Sequence, residues 1–219
     1  MPYLLNGSNW DLADPMSIPN LLLDHIEITL ICVLIGLAIA LPASLLLVRY
    51  SRFYPPAITA ASIIYTLPSL AFMAFLIPVF GLAPLTVMLP LVLYTQVVLI
   101  RNIVAAIRAV DPTLIEVGRA MGMNSIQLQL RVVLPLAAPI IIAGLRVATV
   151  TTIGIASIGP IFSVENLGYL ITQGFNFAYN DMIVAGAIMV TILAIGADLL
   201  LLGVQTLINR GRVAVIAAS

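Results

Sequence analysis

The stretch Asp111–Pro135, DPTLIEVGRAMGMNSIQLQLRVVLP, determines how the rest of the chain is interpreted. It is the longest polar run between apolar segments, yet it carries the signals of a folded element. Asp111 has the side chain of a helix N-cap, and Pro112 suits the first helical position, where its missing N–H costs nothing. Gly122 is placed to end this helix. The pattern predicts a short capped helix over residues 112–121, ended by Gly122.

A second short helix is predicted to begin at Asn124 or Ser125 and to run up to Leu134-Pro135. Asn and Ser are both favoured at the N-cap position. The loop 111–135 therefore reads as a charged helix-turn-helix between two apolar segments. A compact polar element in this position is expected to dock on a partner in the aqueous phase.

Composition predicts an all-α membrane protein. The chain is 62% hydrophobic and 8% charged, with a mean hydropathy of +1.18, far outside the range of soluble domains. Its 219 residues leave no room for a separate soluble domain beside the spans. The single cysteine excludes a disulfide framework or a multi-cysteine metal site within one chain. A net charge of zero gives no indication of a nucleic-acid partner.

Five apolar stretches are long enough to cross about 30 Å of hydrocarbon at about 1.5 Å per residue. They are residues 25–48, 57–80, 85–107, 136–158 and 182–209. The second contains Pro68 and Pro78, and kinks there are tolerable because neighbouring helices can satisfy the freed carbonyls. These spans predict a transmembrane domain over 21–210 with an outer loop at 159–181. The flanking parts are an extracytoplasmic N-terminal segment, 1–20, and a cytoplasmic tail, 211–219.

The charge distribution predicts the orientation. With five spans and the N-terminus outside, all nine arginines fall at, or nearest to, the cytoplasmic side, and the chain contains no lysine. Arginine and lysine are concentrated on the cytoplasmic side of membrane proteins. The loop 111–135 and the C-terminus are therefore expected to be cytoplasmic.

Two charged residues are predicted to lie at similar depth in the membrane. Arg146 is about eleven residues into the fourth span, and Asp198 about eleven from the cytoplasmic end of the fifth, so both lie about 16 Å deep. An isolated charge in hydrocarbon is costly, so each needs a partner. We predict an Arg146–Asp198 ion pair, serving either as a structural clamp or as part of a substrate path or gate. His25, at the outer start of the first span, is predicted to be an interfacial or capping residue rather than a ligand.

Candidates for the lining of a translocation path come from two spans. Tyr65, Ser69 and Met73 recur at i, i+4 and i+8 and are predicted to share one face of the second span. Thr149 and Thr152 belong to a run of small and hydroxylic residues in the fourth span, which suits a small polar solute. Core packing is the commoner explanation for the residues of the fourth span and the alternative explanation for those of the second.

The polar loop resembles the EAA loop of permease subunits of ABC importers. That pattern is Glu-Ala-Ala, three residues, Gly, nine residues, a branched aliphatic residue, one residue and Leu-Pro. The residues that fall on it are Glu116, Gly122, Val132, Leu134 and Pro135. Val117 and Gly118 replace the two alanines, which keeps one small position.

Longer segments narrow this resemblance over about residues 20–210. IIYTLPSLAFMAFLIPVFG, LIRNIVAAIRAVDPTLIEVGRAMGM and AGLRVATVTTIGIASI are similar to the osmoprotectant branch, which imports glycine betaine, carnitine and choline. Around residues 156–168 the sequence departs from a family pattern that is richer in Ala and Gly; residues 157–168 read SIGPIFSVENLG. That departure bears on the outer gate and hence on the solute.

The resemblance implies a type I ABC importer permease fold and a transport subunit, not an enzyme. The implied partners are two ATP-binding subunits, a second permease, identical or homologous, an extracytoplasmic substrate-binding protein and membrane lipid. ATP and Mg would be bound by the ATPase subunits, and this chain itself would bind no cofactor or metal. The residues implied in coupling to the ATPase are Asp111, Glu116, Gly118, Met121 and Gly122.

Three other classes of protein remain as alternatives. An ABC permease for another small solute, such as an amino acid, would share the loop and the topology. A secondary transporter driven by an ion gradient would use membrane carboxylates, of which Asp198 is the best candidate, and inverted repeats would be typical; none is evident. A channel or a purely structural membrane protein would have no need of the EAA spacing.

Overall fold

A computed structural model describes residues 2–217 of the chain, with side chains described for residues 3–209. The described part consists of helices and connecting turns and contains no strand. The α-helices are α1 (Pro2–Leu5), α2 (Ile18–Arg49), α3 (Tyr54–Thr66), α4 (Ser69–Phe80), α5 (Pro84–Arg108), α6 (Pro112–Ala120), α7 (Ser125–Leu128), α8 (Leu134–Ala156), α9 (Gly168–Asn176) and α10 (Asn180–Ala217). Short 3-10 turns occupy Gly7–Trp10, Ser51–Phe53 and Gly159–Phe162, and a π-helical turn, Gln129–Val133, joins α7 to α8.

Four helical segments of the described chain are each long and apolar enough to cross a membrane alone. They are Ile18–Arg49, Pro84–Arg108, Ser125–Ala156 and Asn180–Asn209. They cover the first, third, fourth and fifth predicted spans. The predicted tail begins inside α10, which continues to Ala217, while residues 218 and 219 lie outside the described part.

The second predicted span, 57–80, is broken into two helices near Pro68, where the sequence allowed a kink. Ser51–Thr66 and Ser69–Phe80 meet at a bend of 91°. The cause is Pro68, which has no N–H to continue the helix and holds Leu67 in an extended conformation, with ψ 132°. Tyr94 of α5 donates its hydroxyl hydrogen to the Leu67 carbonyl, with an O–O distance of 2.9 Å. The neighbouring helix thus satisfies a carbonyl that the break exposes, as the sequence predicts for a proline in a membrane.

The bent pair α3–α4 runs along most of α5 in the opposite direction. The contacts are the Arg108 guanidinium 4.9 Å from the Tyr54 ring centroid, Arg101 Nη2 donating to Ser62 Oγ at 2.8 Å, the Tyr94–Leu67 bond, and Met73 packed in one cluster with Leu91 and Val87. These contacts proceed from the last residue of α5 almost to its first turn. The bent pair therefore covers nearly the same length as α5.

His25 lies in the core, which corrects its predicted interfacial position. Its side chain has no exposed surface, and its ring Nε2 donates to the Ile153 carbonyl of α8 at 3.0 Å. Nearby, the Asn166 amide donates to the Ala156 carbonyl at 3.0 Å, and its Oδ1 accepts from the Gly168 amide at 2.8 Å. These bonds attach α2 and the 159–181 segment to the end of α8.

Candidate functional site

The first helix of the polar loop has the predicted boundaries. Asp111 caps α6 by accepting from the Thr113 amide at 2.8 Å, and Pro112 occupies the first turn. Gly122 follows the C-cap with a φ of +79°, in the left-handed region where a side chain would be strained. The chain therefore turns sharply after α6.

The second helix begins as predicted but does not end at Pro135. Asn124 and Gln127 form a reciprocal capping box, with N–O distances of 2.9 and 3.0 Å. From there α7 continues through the π turn into α8, and Pro135 falls in the first turn of α8, directly after the π turn. The loop and the fourth span are consequently joined by helix rather than by a flexible linker.

The outer face of α6 carries exposed apolar side chains beside a carboxylate. Leu114, Val117 and Met121 are 44%, 51% and 72% exposed, and Glu116 is also exposed. Leu114, Val117 and Met121 are three and four residues apart and share one side of the helix, whereas Glu116 projects from another side. The exposed surface formed by these four residues, which we call the α6 face, has the chemistry of a docking surface with one charged contact.

Gly118 does not belong to the α6 face. It is buried, and a Cβ placed on it would lie 2.7 Å from Cδ1 of Leu128. The close approach that this glycine permits is therefore between α6 and α7 of the same chain. Gly122 has open space around its Cα and remains accessible.

The Asp111 cap predicts a pH response of α6. The hydrogen bond from the Thr113 amide lowers the pKa of the Asp111 carboxyl, so the cap stabilises α6 above the ordinary carboxyl pKa of about 3.9 and is lost as pH falls through the lowered value. We expect protection of the Thr113 amide from hydrogen exchange to be unchanged between about pH 7 and 5 and to fall below about pH 4, relative to Asp111→Asn at each pH. Asn keeps an acceptor that does not titrate. Equal loss of protection in both proteins would contradict the cap.

Arg146 and Asp198 form a two-pronged ion pair between α8 and α10. Arg146 Nε and Nη2 each donate to one oxygen of Asp198 at 2.8 Å. Arg146 Nη1 also donates to Gln205 Oε1 at 3.1 Å. Among the side chains of residues 3–209 this is the one ion pair. It borders an open cavity of about 600 Å³. The side chains remain 22% and 34% exposed, so neither is sealed within the single chain.

Gln205 was not identified from the sequence. It lies seven residues after Asp198, two turns along the same side of α10, and that spacing is the signal that would have found it. An amide at this position satisfies the Arg146 nitrogen that Asp198 does not reach.

The five predicted path residues do not line one cavity. Tyr65 lies on α3 and Ser69 and Met73 lie on α4, so the 91° bend separates them and the predicted common face was wrong. Met73 is fully buried in the core. Thr149 borders an apolar groove between α2 and α10, whereas Thr152 is buried on the side of α5. Both threonine hydroxyls donate to carbonyls of their own helix at 2.8 Å.

No group of three or more His, Cys, Asp or Glu side chains among the described residues could hold a metal ion. Cys32 is buried in the core, where burial shields the thiol from solvent and metal.

Comparison with known proteins identifies the family. Residues 33–213, which include the whole polar loop and the ion pair, match the family described as binding-protein-dependent transport system inner membrane component. The chain belongs to this family. It is a multi-pass protein of the bacterial inner membrane and a transport subunit, as the permease family is.

Several curated relatives of this permease are similar over most of its length. It is 38% identical to the choline transport system permease protein OpuBB of Bacillus subtilis (strain 168), over 81% of this chain and 82% of that one. It is 38% identical to the carnitine transport permease protein OpuCB of Listeria monocytogenes, over 78% of each. The glycine betaine/carnitine/choline transport system permease protein OpuCB of Bacillus subtilis (strain 168) is 37% identical, over 81% of this chain and 82% of that one.

Solved structures give the same fold at lower identity. An inward-facing structure of the MetNI methionine ABC transporter aligns with a TM-score of 0.73 and 19% identity, over 84% of this permease and 93% of that chain. An amino acid ABC transporter aligns with a TM-score of 0.68 and 19% identity, over 84% and 91%. The permease therefore has the fold of type I ABC importer permeases.

Proposed function

We propose that this chain is the permease subunit of an ATP-driven importer for a quaternary ammonium compatible solute such as glycine betaine, carnitine or choline. The observation that carries the proposal is identity of 37–38% over about four fifths of the chain to permeases named for these solutes. The fold likeness to methionine and amino acid transporters bears on architecture alone. It gives no independent support to an amino acid as the solute.

We infer five crossings, with the N-terminus outside and the C-terminus cytoplasmic. The bent pair α3–α4 supports the fifth crossing, because its contacts extend along α5. They run from Tyr54, which lies beside Arg108, to Met73, which packs in one cluster with Leu91. A re-entrant pair would return to the side where it began and would contact only one half of α5. Five crossings also place the arginines of the polar loop on the cytoplasmic side. Residues 1–20 and 159–181 are then outside, within a transmembrane domain over 21–210.

The polar loop would couple this permease to a partner ATPase that binds ATP and Mg. The α6 face would enter a cleft of the ATPase, with Met121 and its apolar neighbours buried and Glu116 making a charge-assisted contact. Asp111 and Gly122 would fix the two ends of α6, and Gly118 would hold it against α7. Closure of two ATPase subunits would then move α8 directly, because helix continues from the loop into that span.

The translocation path would lie between two permeases rather than within one. The candidate residues of a single chain face different directions, and the Arg146–Asp198 pair is still partly exposed beside an open cavity. A charged pair at this depth is unfavourable against lipid. A second permease, identical or homologous, would cover it, with Tyr65 exposed near the bend as an aromatic contact for a quaternary ammonium. An extracytoplasmic binding protein would select the solute.

The Arg146–Asp198 geometry disfavours an ion-coupled transporter. Both carboxylate oxygens of Asp198 already accept from Arg146. A coupling site needs a carboxylate that binds and releases a proton or Na⁺ during the cycle. The pair leaves no such oxygen unoccupied.

Co-purification of the permease with an ATPase tests the proposal. We expect an ATP-binding subunit to co-purify with the wild-type chain from detergent and to be lost with Glu116→Arg plus Met121→Arg, because both changes place a cation on the α6 face. The matched control, Glu116→Asp plus Met121→Leu, keeps the negative charge and the apolar side chain and should retain the ATPase. Retention by the arginine variant would contradict coupling through α6.

Titration of the co-purifying binding protein identifies the solute. We expect micromolar or tighter binding of choline, carnitine or glycine betaine and no competition by methionine, as for an aromatic site that recognises a quaternary ammonium. Tighter binding of an amino acid would overturn the solute while leaving the importer intact.

A further inference from the structure

A cavity of about 580 Å³ lies where the end of α2 meets the polar loop. One wall is the last apolar turn of α2, and the other is formed by α7 and the π turn. Arg49 and Arg119 line it, and no Asp or Glu does. We propose that this cavity binds one anionic phospholipid, with the phosphate between the two guanidinium groups and an acyl chain along the apolar walls.

The depth of the cavity suits a lipid headgroup. Helix α2 ends at Arg49, so this arginine marks the point where the span leaves hydrocarbon. Leu45 and Leu46, one turn earlier, line the same cavity within the span. The cavity thus joins an apolar part to a cationic part in the order in which a phospholipid presents its tail and phosphate.

Two arginines in the cavity are not neutralised by the protein. Arg146–Asp198 is the one ion pair among the side chains of residues 3–209. Neither Arg49 nor Arg119 therefore has a carboxylate within 4.0 Å. The Arg49 guanidinium lies 5.6 Å from the centroid of the Tyr50 ring, which leaves its charge uncompensated. Guanidinium groups bind phosphate through short charge-assisted hydrogen bonds.

The apolar walls distinguish a phospholipid from free phosphate. Leu46 and Leu130 are 58% and 61% exposed, and Ile126 is 71% exposed, all on the cavity lining. Free phosphate would leave these side chains in contact with water, whereas an acyl chain would cover them. A single anchored lipid satisfies the charge and the apolar surface together.

An unsatisfied amide oxygen in the cavity favours a headgroup that carries hydroxyls. Gln129 Oε1 is buried and has no hydrogen-bond partner, although Gln129 lines the cavity. Buried polar atoms are nearly always paired. Rotation of the Gln129 side chain would bring this oxygen to the cavity surface, where the glycerol hydroxyls of phosphatidylglycerol would donate to it while the phosphate accepts from the arginines. Phosphatidylglycerol is therefore the appropriate probe.

Native mass spectrometry of the full chain in uncharged detergent tests the site. The protein is titrated with phosphatidylglycerol or with phosphatidylcholine of the same acyl chains. We expect a single phosphatidylglycerol adduct at roughly tenfold lower lipid concentration than for phosphatidylcholine, from charge-assisted binding of the phosphate. Arg49→Gln plus Arg119→Gln should remove this preference. Arg52→Gln plus Arg131→Gln, which removes the same charge outside the cavity, should keep it.

Four outcomes would overturn the proposal. Equal binding of the two lipids would mean that the arginines do not select an anionic headgroup. Equal loss of the preference in both double variants would mean general charge attraction. Displacement by excess glycerol 3-phosphate would mean a site for soluble phosphate. Loss of the adduct when the ATPase subunit binds would assign the cavity to that protein. Arg49→Lys plus Arg119→Lys keeps the charge and should retain more affinity than the Gln variant, which separates binding from misfolding. None of these measurements depends on the transported solute.

Discussion

Reversing either charge of the Arg146–Asp198 pair is expected to cause a large loss of folded protein. Arg146→Asp leaves two carboxylates facing each other, and Asp198→Arg leaves two guanidinium groups, where the native pair makes two bonds of 2.8 Å. Unpaired charges in a membrane and broken ion pairs are strongly destabilising, so each single variant should yield roughly tenfold less monodisperse protein after extraction. Yield is measured by size-exclusion chromatography with fluorescence detection.

The double reversal is the decisive control. Arg146→Asp plus Asp198→Arg recreates the pair and should recover most of the yield. Gln205→Leu removes one hydrogen bond at 3.1 Å and should change the yield by less than about twofold. A double variant as poor as the worse single variant would exclude a direct pair.

Replacing both charges separates a structural clamp from a role in transport. An apolar pair often replaces an ion pair without loss of stability. Arg146→Leu plus Asp198→Leu is therefore expected to fold. Uptake that persists in this variant would indicate a clamp, whereas a folded protein without uptake would place the pair on the transport path.

Adding one methyl group to Gly168 is expected to destabilise the outer end of the fold. A Cβ on Gly168 would overlap the Ser157 carbonyl oxygen, which is backbone and has no rotamer by which to move away. Overpacking of this kind costs about 1–3 kcal/mol, and each kcal/mol lowers Tm by about 2–4 °C for a chain of this size. The drop in Tm of Gly168→Ala is measured by thermal unfolding in detergent.

Gly154 provides the matched comparison within α8. A Cβ there meets no atom within 4 Å, and alanine favours a helix over glycine by about 0.5–1 kcal/mol. Gly154→Ala should therefore keep or raise Tm. Equal losses in the two variants would contradict the close approach of α9 to the end of α8.

Local signals in the sequence were sufficient for most of the elements. Hydropathy located four spans as single helices, because apolar length needs no tertiary information. The caps at Asp111 and Asn124 were predictable, since each bonds to a backbone amide within three residues. The pairing of Arg146 with Asp198 followed from depth alone, because a charge in hydrocarbon requires a partner.

Features that depend on distant contacts could not be predicted. Pro68 allows a kink or a full break, and the 91° bend is stabilised by Tyr94, which is 27 residues away. The burial of Gly118 depends on Leu128 of α7, which packs against it from outside α6. The sequence placed His25 at the interface. Its bond to the Ile153 carbonyl joins residues 128 positions apart and leaves no local signal. The predicted common face of Tyr65, Ser69 and Met73 failed because it assumed an unbroken helix through Pro68.

The π turn at Gln129–Val133 has a consequence for chain length. Leu128 and Val133 pack into the same core cluster although they are five residues apart. In an α-helix that separation would turn them about 140° from each other, whereas a π turn brings positions i and i+5 close. The turn thus accommodates one residue more than an unbroken α-helix would need. Deletion of one residue here would convert the π turn to α-helix and keep both contacts, so gaps of one residue are expected at this point among otherwise colinear permeases.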